Sequence, residues 1–246
     1  MVEKVPSLFY APKSPGFTDA LVMSRGRQVV RLKYRPLSDT AKSLLWDWDS
    51  GELHRNPGRF QDLTSSQLFG NHNRLEVEIG PGSGEFLCDL AATHPDTNFL
   101  GIEVSRRAAA ACAVQAGALG LANLRVLRAD FKLLKPLLPK DGWSTVYLHF
   151  PDPPHKNGDQ KRRILDQAFL DTMAEVLIPG GKISVASDMP EFFFEMLRLA
   201  EGNPAFKFDH PGQYLEGMEI AVKSRFQQFW ERKGIQPLRF VLRKRK

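Results

Sequence analysis

The residues of this 246-residue chain best suited to chemistry are five carboxylates near the ends of successive hydrophobic runs: Glu78, Glu103, Asp130, Asp152 and Asp188. The first run, Arg74 to Gly84, reads Arg-Leu-Glu-Val-Glu-Ile-Gly-Pro-Gly-Ser-Gly, a buried-type strand that enters three glycines at alternate positions. Gly80, Gly82 and Gly84 let the backbone turn sharply and approach a ligand with no Cβ in the way. The following Glu85 to Ala92 reads as the helix whose N-terminus closes the pocket. A dinucleotide fingerprint, G-x-G-x-x-G/A, needs a small residue at position 85. Glu85 stands there instead and would repel a pyrophosphate. S-adenosylmethionine carries no phosphate and has a cationic sulfonium, so an acidic pocket suits it.

To position such a site the chain needs parallel strands with crossover helices, and from Arg74 onward the pattern supplies them. Candidate strands are Leu75–Ile79, Asn98–Val104, Leu124–Arg128, Thr145–Phe150 and Lys182–Ser187, with Leu238–Leu242 as a final one. Candidate helices are Glu85–Ala92, Ser105–Gly120, Lys161–Leu177 and Pro190–Glu201, the last starting at a proline. The fold class expected is α/β: a Rossmann-like class I methyltransferase arrangement, mostly parallel and twisted, with helices on both faces. Residues 1–73 carry scattered prolines and no sustained period, so they read as an irregular N-terminal extension with a short strand at Gln28–Tyr34. Residues 74–246 read as the main domain, ending in a basic tail.

Open α/β sheets bind ligands outside the carboxyl ends of their strands, and the five carboxylates fall there. Glu103 lies 19 residues past Gly84, where an acid can accept both hydroxyls of a ribose. Asp130, in Arg128-Ala129-Asp130-Phe131, is placed to accept from an adenine amino group. Taken singly, Asp130 and Asp188 also read as helix caps or surface turns; in series with the glycines they favour a pocket. Asp152 is flanked by Pro151 and Pro153, whose fixed φ angles make a stiff bend that holds a carboxylate at the strand edge. His149 and His155 have no ligand partners at metal-site spacing and read as packing residues, so no metal is expected. Cys88 and Cys112 lack CxxC spacing and read as reduced core residues.

Charge is uneven along the chain. Basic and acidic residues number 10 against 7 in residues 1–73, 15 against 20 in 74–222, and 9 against 1 in 223–246. An acidic middle fits a cationic cofactor, and basic flanks fit contact with phosphates as well as an ordinary solvated surface. The N-terminus lacks the apolar run of a signal peptide and no window is long and apolar enough to span a bilayer, so a cytoplasmic protein without membrane contact is expected.

The order Glu-Ile-Gly-Pro-Gly-Ser-Gly-Glu-Phe-Leu, Phe99-Leu100-Gly101-Ile102-Glu103-Val104, Asn123-Leu124-Arg125-Val126, Phe150-Pro151-Asp152-Pro153 and Lys161-Arg162-Arg163 resembles the bacterial tRNA (guanine-N7)-methyltransferase family, often called TrmB. The match covers roughly Arg74 to Trp230; the glycine-rich piece is shared by many methyltransferases, whereas Phe-Pro-Asp-Pro followed by Lys-Arg-Arg is characteristic. The resemblance implies that Glu78, Gly80, Gly82, Gly84, Glu103, Asp130 and Asp152 line an S-adenosylmethionine site, with Asp152 the catalytic residue. It implies that Lys156, Asp188, Ser224, Arg225, Phe226 and Gln227 contact the substrate, a tRNA. The family's Pro-Asp-Pro-Trp is here completed by Pro154, its usual Arg-His before Lys-Arg-Arg is replaced by Asn157-Gly158-Asp159-Gln160, and Gln227 stands where it has Glu.

The chemistry stands apart from the resemblance. Guanine N7 is a lone-pair nucleophile with no proton to lose, so methyl transfer to it needs alignment and charge management rather than a strong base. A carboxylate such as Asp152 or Asp188 can accept from guanine N1–H and its amino group, while Lys156, Lys161, Arg162 and Arg163 hold phosphates and the base is extruded from its stack. Two other classes remain at this level. A small-molecule methyltransferase or aminopropyl-transferase would show no salt-sensitive RNA binding, and a non-catalytic RNA-binding relative would not bind S-adenosylmethionine. Either a monomer or a homodimer is compatible with the sequence.

Overall fold

A computed structural model describes residues 36–151, 164–216, 231, 232, 234 and 236–246. The chain divides into two compact units, Met1–Arg31 and Leu32–Lys246, and only the second holds described residues. The strand expected at Gln28–Tyr34 lies outside them.

Among the described residues one sheet of nine strands runs in the order β1-β4-β3-β2-β5-β6-β9-β7, with β8 paired to β9. Its parallel part comprises β1 (Leu45–Asp47), β2 (Arg74–Ile79), β3 (Thr97–Glu103), β4 (Leu124–Arg128), β5 (Trp143–His149) and β6 (Leu177–Ser187). The antiparallel end adds β7 (Phe206–Phe208), β8 (Leu215–Glu216) and β9 (Leu238–Lys244). The helices are α1 (Asp39–Leu44), α2 (Ser50–Arg55), α3 (Ser65–Phe69), α4 (Glu85–Thr93), α5 (Arg106–Ala118), α6 (Gln167–Val176) and α7 (Pro190–Glu201). The expected class I methyltransferase arrangement, a mostly parallel sheet with crossover helices, is therefore what this chain forms.

Strand β3 is apolar on both faces because helices cover both, as parallel sheets require, whereas β2 and β5 turn Glu76 and Glu78, and Thr145, Tyr147 and His149, to one face. Leu75, Val77, Phe99, Leu100, Leu124, Val126, Val146, Ile183 and Val185 are all at most 1% exposed. Two clusters result. On one side Phe99, Leu124 and Val126 meet Leu87, Cys88 and Ala91 of α4 and Cys112, Ala113 and Ala116 of α5. On the other, Val146 and Val185 meet Phe169, Leu170 and Met173 of α6 and Phe192, Phe193 and Met196 of α7. Helix α7 starts with Pro190 at its first turn, where the missing N–H costs no bond. Its buried Phe193 packs 5.4 Å from Phe240 of β9, centroid to centroid. Truncating such a side chain to alanine costs about 3–5 kcal/mol.

The structure adds β7 and β8, which the sequence reading did not expect, and two further stretches differ from it. Within 36–73 the chain forms α1, β1, α2 and α3, and β1 adds to the sheet edge with Asp47 opposite Arg128. Elements of three to six residues carry too little periodicity to stand out beside prolines. The helix expected to reach Leu177 stops at Val176, and β6 begins directly after it. The strand runs through Pro179-Gly180-Gly181, with a pairing irregularity between Trp143 and Thr145 that absorbs these turn-type residues.

Candidate functional site

The turn after β2 is built by backbone bonds that glycine permits. Gly80 (φ 78°) donates its N–H to the Ile102 carbonyl at 2.8 Å, and Gly82 (φ 58°) donates to Glu103 Oε2 at 3.1 Å. A side chain on either would meet open space on the ligand side. Gly84 (φ 85°) is different: a Cβ there would lie 2.2 Å from Cys112 Sγ and 3.2 Å from the Cys112 Cα. The third glycine thus lets α4 seat against α5, a packing demand the sequence reading did not include.

Glu103 ends β3, only 8% exposed. Its Oε2 accepts from Gly82, and its Oε1 accepts from the Ser105 N–H at 2.7 Å. A carboxylate has about four lone-pair sites, so a ribose diol can still be accepted while the loop amides fix the carboxylate plane. Glu78, one strand inward, is 4% exposed and its Oε2 has no hydrogen-bond partner among the described residues. Burial first, then the neighbouring Glu103 and Glu85 charges, push its pKa up from 4.5 to about 8. Glu85 is turned back onto the loop, its two oxygens accepting from Ser83 Oγ at 2.9 and 3.0 Å.

Asp130 follows β4 and caps the 3-10 turn Phe131–Leu133, accepting from the Lys132 N–H at 3.0 Å. The capping role weighed from sequence is real for this residue, and the carboxylate still sits at the same sheet edge. Asp188 follows β6 and does not cap α7: the cap position is Met189, whose N–H is accepted by Ser187 Oγ at 3.1 Å. Burial raises the pKa of Asp188, with its own backbone N–H partly opposing the rise.

The register aligns these residues. Ile79 lies opposite Ile102, Glu103 opposite Arg128, Glu78 opposite Tyr147 and His149 opposite Ala186. Glu78, Glu103, Asp130 and Asp188 therefore line one carboxyl edge of the parallel strands. The chain leaves β5 at the same edge: Phe150 takes φ 53° and donates its N–H to the Ala186 carbonyl at 2.8 Å. A left-handed phenylalanine immediately before a proline is strained twice over, because that position favours extended backbone. Asp152, Lys156, the Lys161-Arg162-Arg163 run and Ser224, Arg225, Phe226 and Gln227 lie outside the described residues.

His149 is held as a neutral packing residue. It is 8% exposed, its Nε2 bonds Ser184 Oγ at 2.9 Å, and burial and then Arg239 push its pKa down to about 3. Phe86 of α4 packs on it at 4.8 Å and on Tyr147 at 5.2 Å, bracing the glycine turn against β5. Cys88 and Cys112 are buried free thiols. No group of three His, Cys, Asp or Glu among the described residues is arranged as a metal site.

The strand expected to end at Val104 ends at Glu103, and Val104 is 62% exposed beside that carboxylate.

The C-terminal cations are placed otherwise than a free tail. Strand β9 runs antiparallel to β6, with Leu238 opposite Ser187 at the site edge and Arg243 opposite Lys182 at the far edge. Five residues of strand put them about 17 Å apart. Arg243 clamps both oxygens of Asp209, and Lys244 pairs with Asp141 at 2.6 Å. The structure gives these two charges a packing role on the far side of the sheet.

The mostly parallel sheet in this strand order, with crossover helices and a glycine turn after β2, is that of a class I methyltransferase, and the buried Glu78 and Glu103 at its carboxyl edge suit a cationic S-adenosylmethionine donor. Likeness to solved structures shows the same fold. The 16S rRNA methyltransferase KamB aligns with a TM-score of 0.55 and 21% identity over 76% of this chain and 95% of that one. An antibiotic-related methyltransferase aligns at 0.51 and 17% over 75% and 95%. A methyltransferase family model described as "Putative methyltransferase" matches residues 72–239. A tRNA (guanine-N(7)-)-methyltransferase of Rubrobacter xylanophilus is 36% identical over 217 residues, 88% of this chain and 97% of that protein. Its namesake in Chloroherpeton thalassium is 33% identical over 222 residues, 90% and 98%. The chain belongs to the tRNA (guanine-N7)-methyltransferase family.

Proposed function

We propose that the protein transfers a methyl group from S-adenosylmethionine to N7 of a guanine in tRNA. The observation that carries this reading is the row of Glu78, Glu103, Asp130 and Asp188 along one sheet edge beside the glycine turn; the names of the relatives supply the acceptor. When bound, the donor supplies an electrophilic methyl on a sulfonium. Glu103, fixed by Gly82 and Ser105 amides, accepts the ribose hydroxyls. Asp130 keeps one oxygen for its cap and offers the other to the adenine amino group. Val104 lays its exposed face against the purine. Glu78 supplies negative charge behind the donor cation.

The acceptor base needs orientation more than deprotonation. In this reading Asp188, half-buried beside β6, accepts from the guanine N1–H and amino group. That pairing selects guanine over adenine and stabilises the positive charge that develops on the ring. Asp152 is assigned the catalytic position after the strained Phe150-Pro151 turn. Lys156 and Ser224 to Gln227 are assigned to the RNA. The partner is tRNA in the cytoplasm, and no helix among the described residues is long and apolar enough to cross a membrane. Incubation with total tRNA and labelled donor, followed by mapping of 7-methylguanosine, tests the reading. Labelled 7-methylguanosine that disappears in Asp152→Ala is expected. Label in another nucleoside, or near-normal single-turnover rates in that variant, refutes it.

A further inference from the structure

Glu78 stands apart from the other carboxylates of the site. Glu103 accepts from two backbone N–H groups and Glu85 from a serine hydroxyl on both oxygens. Glu78 Oε2 accepts from nothing among the described residues, in a residue 4% exposed. The titratable groups that bear on it are Glu103 of β3, Glu85 of α4, Cys112 of α5 and Tyr147 of β5. All are acids, and no cation is among them in the described residues. A buried carboxylate facing two others without a counter-charge is unfavourable by both desolvation and repulsion. A proton resolves this until a cation arrives.

Resting on the cofactor reading above, we propose that Glu78 stands in the empty crevice as the neutral acid and releases its proton when the sulfonium donor is seated. Donor binding and proton loss are then one linked event. The Glu78 O–H bond breaks, the proton leaves to solvent, and the carboxylate remains facing the cation. After methyl transfer the sulfonium has become a neutral thioether, so the buried carboxylate loses its counter-charge and takes a proton back. Glu78 thereby favours the charged donor over the demethylated product of nearly the same shape, a discrimination that contact area alone cannot supply. It also explains why the position carries an acid whose Oε2 has no donor among the described residues: its partner is the ligand.

The test is calorimetric titration of the full chain with S-adenosylmethionine in buffers of different ionisation enthalpy. From a pKa of about 8 in the free protein, about 0.9 proton per site should be released at pH 7 and close to none at pH 9.5. Affinity should rise about tenfold per pH unit up to about pH 7.5 and level off above 8.5. S-adenosylhomocysteine, which lacks the sulfonium, should release clearly less. Glu78→Gln should remove the release. If that variant does not fold, difference infrared spectroscopy on the unmodified protein reads the same event, as a protonated carboxyl band at pH 7 that the donor abolishes. Donor binding with no proton release at pH 7, unchanged release in Glu78→Gln, or equal release by donor and demethylated product overturns the inference. Absence of any binding heat with either ligand instead overturns the cofactor reading and this inference with it.

Discussion

Replacing Gly84 by alanine should destabilise the protein far more than the same change at Gly80 or Gly82, although all three adopt positive φ. A left-handed alanine costs about 1–2 kcal/mol, offset by about 0.4–1 kcal/mol from the stiffer unfolded chain. At Gly80 and Gly82 the new methyl meets nothing within 4 Å, so the net loss there is about 0–1.6 kcal/mol. At Gly84 the methyl would overlap Cys112, with Sγ at 2.2 Å and Cβ at 2.9 Å, in the middle of the α4–α5 contact. Overpacking of this kind adds about 1–3 kcal/mol, for a total of about 1–5 kcal/mol. In a protein of this size that is a fall in Tm of about 2–20 °C. Urea unfolding followed by tryptophan fluorescence measures all three variants. A double-mutant cycle with Cys112→Ala should return part of the Gly84→Ala loss, because the nearest clashing atom is gone while the Cβ and Cα remain. Equal losses at positions 82 and 84, or no coupling between 84 and 112, would refute the packing explanation and return Gly84 to the ligand.

Glu78→Gln should change how stability depends on pH in the ligand-free protein. Because the native state holds this proton up to about pH 8 and the unfolded chain only to about 4.5, the contribution of Glu78 to native stability falls as pH rises through that window and is flat outside it. At about 1.36 kcal/mol per pH unit the window spans at most about 5 kcal/mol, and unfolding curves from pH 5 to 9 should show the glutamine variant without that fall. Asp188→Asn should lower kcat/KM for tRNA by about 10²-fold or more, by analogy with other pre-organised polar groups, with donor affinity unchanged; equal losses for donor and tRNA would sink its assignment to the base. Since burial raises its pKa, the activity of the unmodified enzyme should climb with pH until Asp188 is ionised. Arg243→Ala should lower Tm without altering the salt dependence of tRNA binding, because its guanidinium is spent on Asp209 at the far edge. A flattened salt slope with unchanged Tm would show the reverse.

The sequence by itself determined what depends on neighbours along the chain. Apolar strands, alanine-rich and amphipathic helices and the glycine turn after Ile79 are local patterns, and they fixed the order of β2 to β6 and the positions of Glu78, Glu103, Asp130 and Asp188 at strand ends. Only the tertiary structure decided what each residue meets across the fold. Gly84 faces Cys112, 28 residues away; Asp130 caps a turn where Asp188 does not; Glu78 Oε2 has no donor among the described residues where the Glu103 carboxylate has two. The short strand β1 becomes visible through its pairing with β4. The basic C-terminus reads as a tail until antiparallel pairing carries it to the opposite edge, where Asp209 and Asp141 pair with Arg243 and Lys244. The physical reason is the same in each case. Residue type and period set which groups are exposed or buried on an element, while register and burial between distant elements set their partners, and it is the partner that decides whether a carboxylate is a cap, an anchor or a proton carrier.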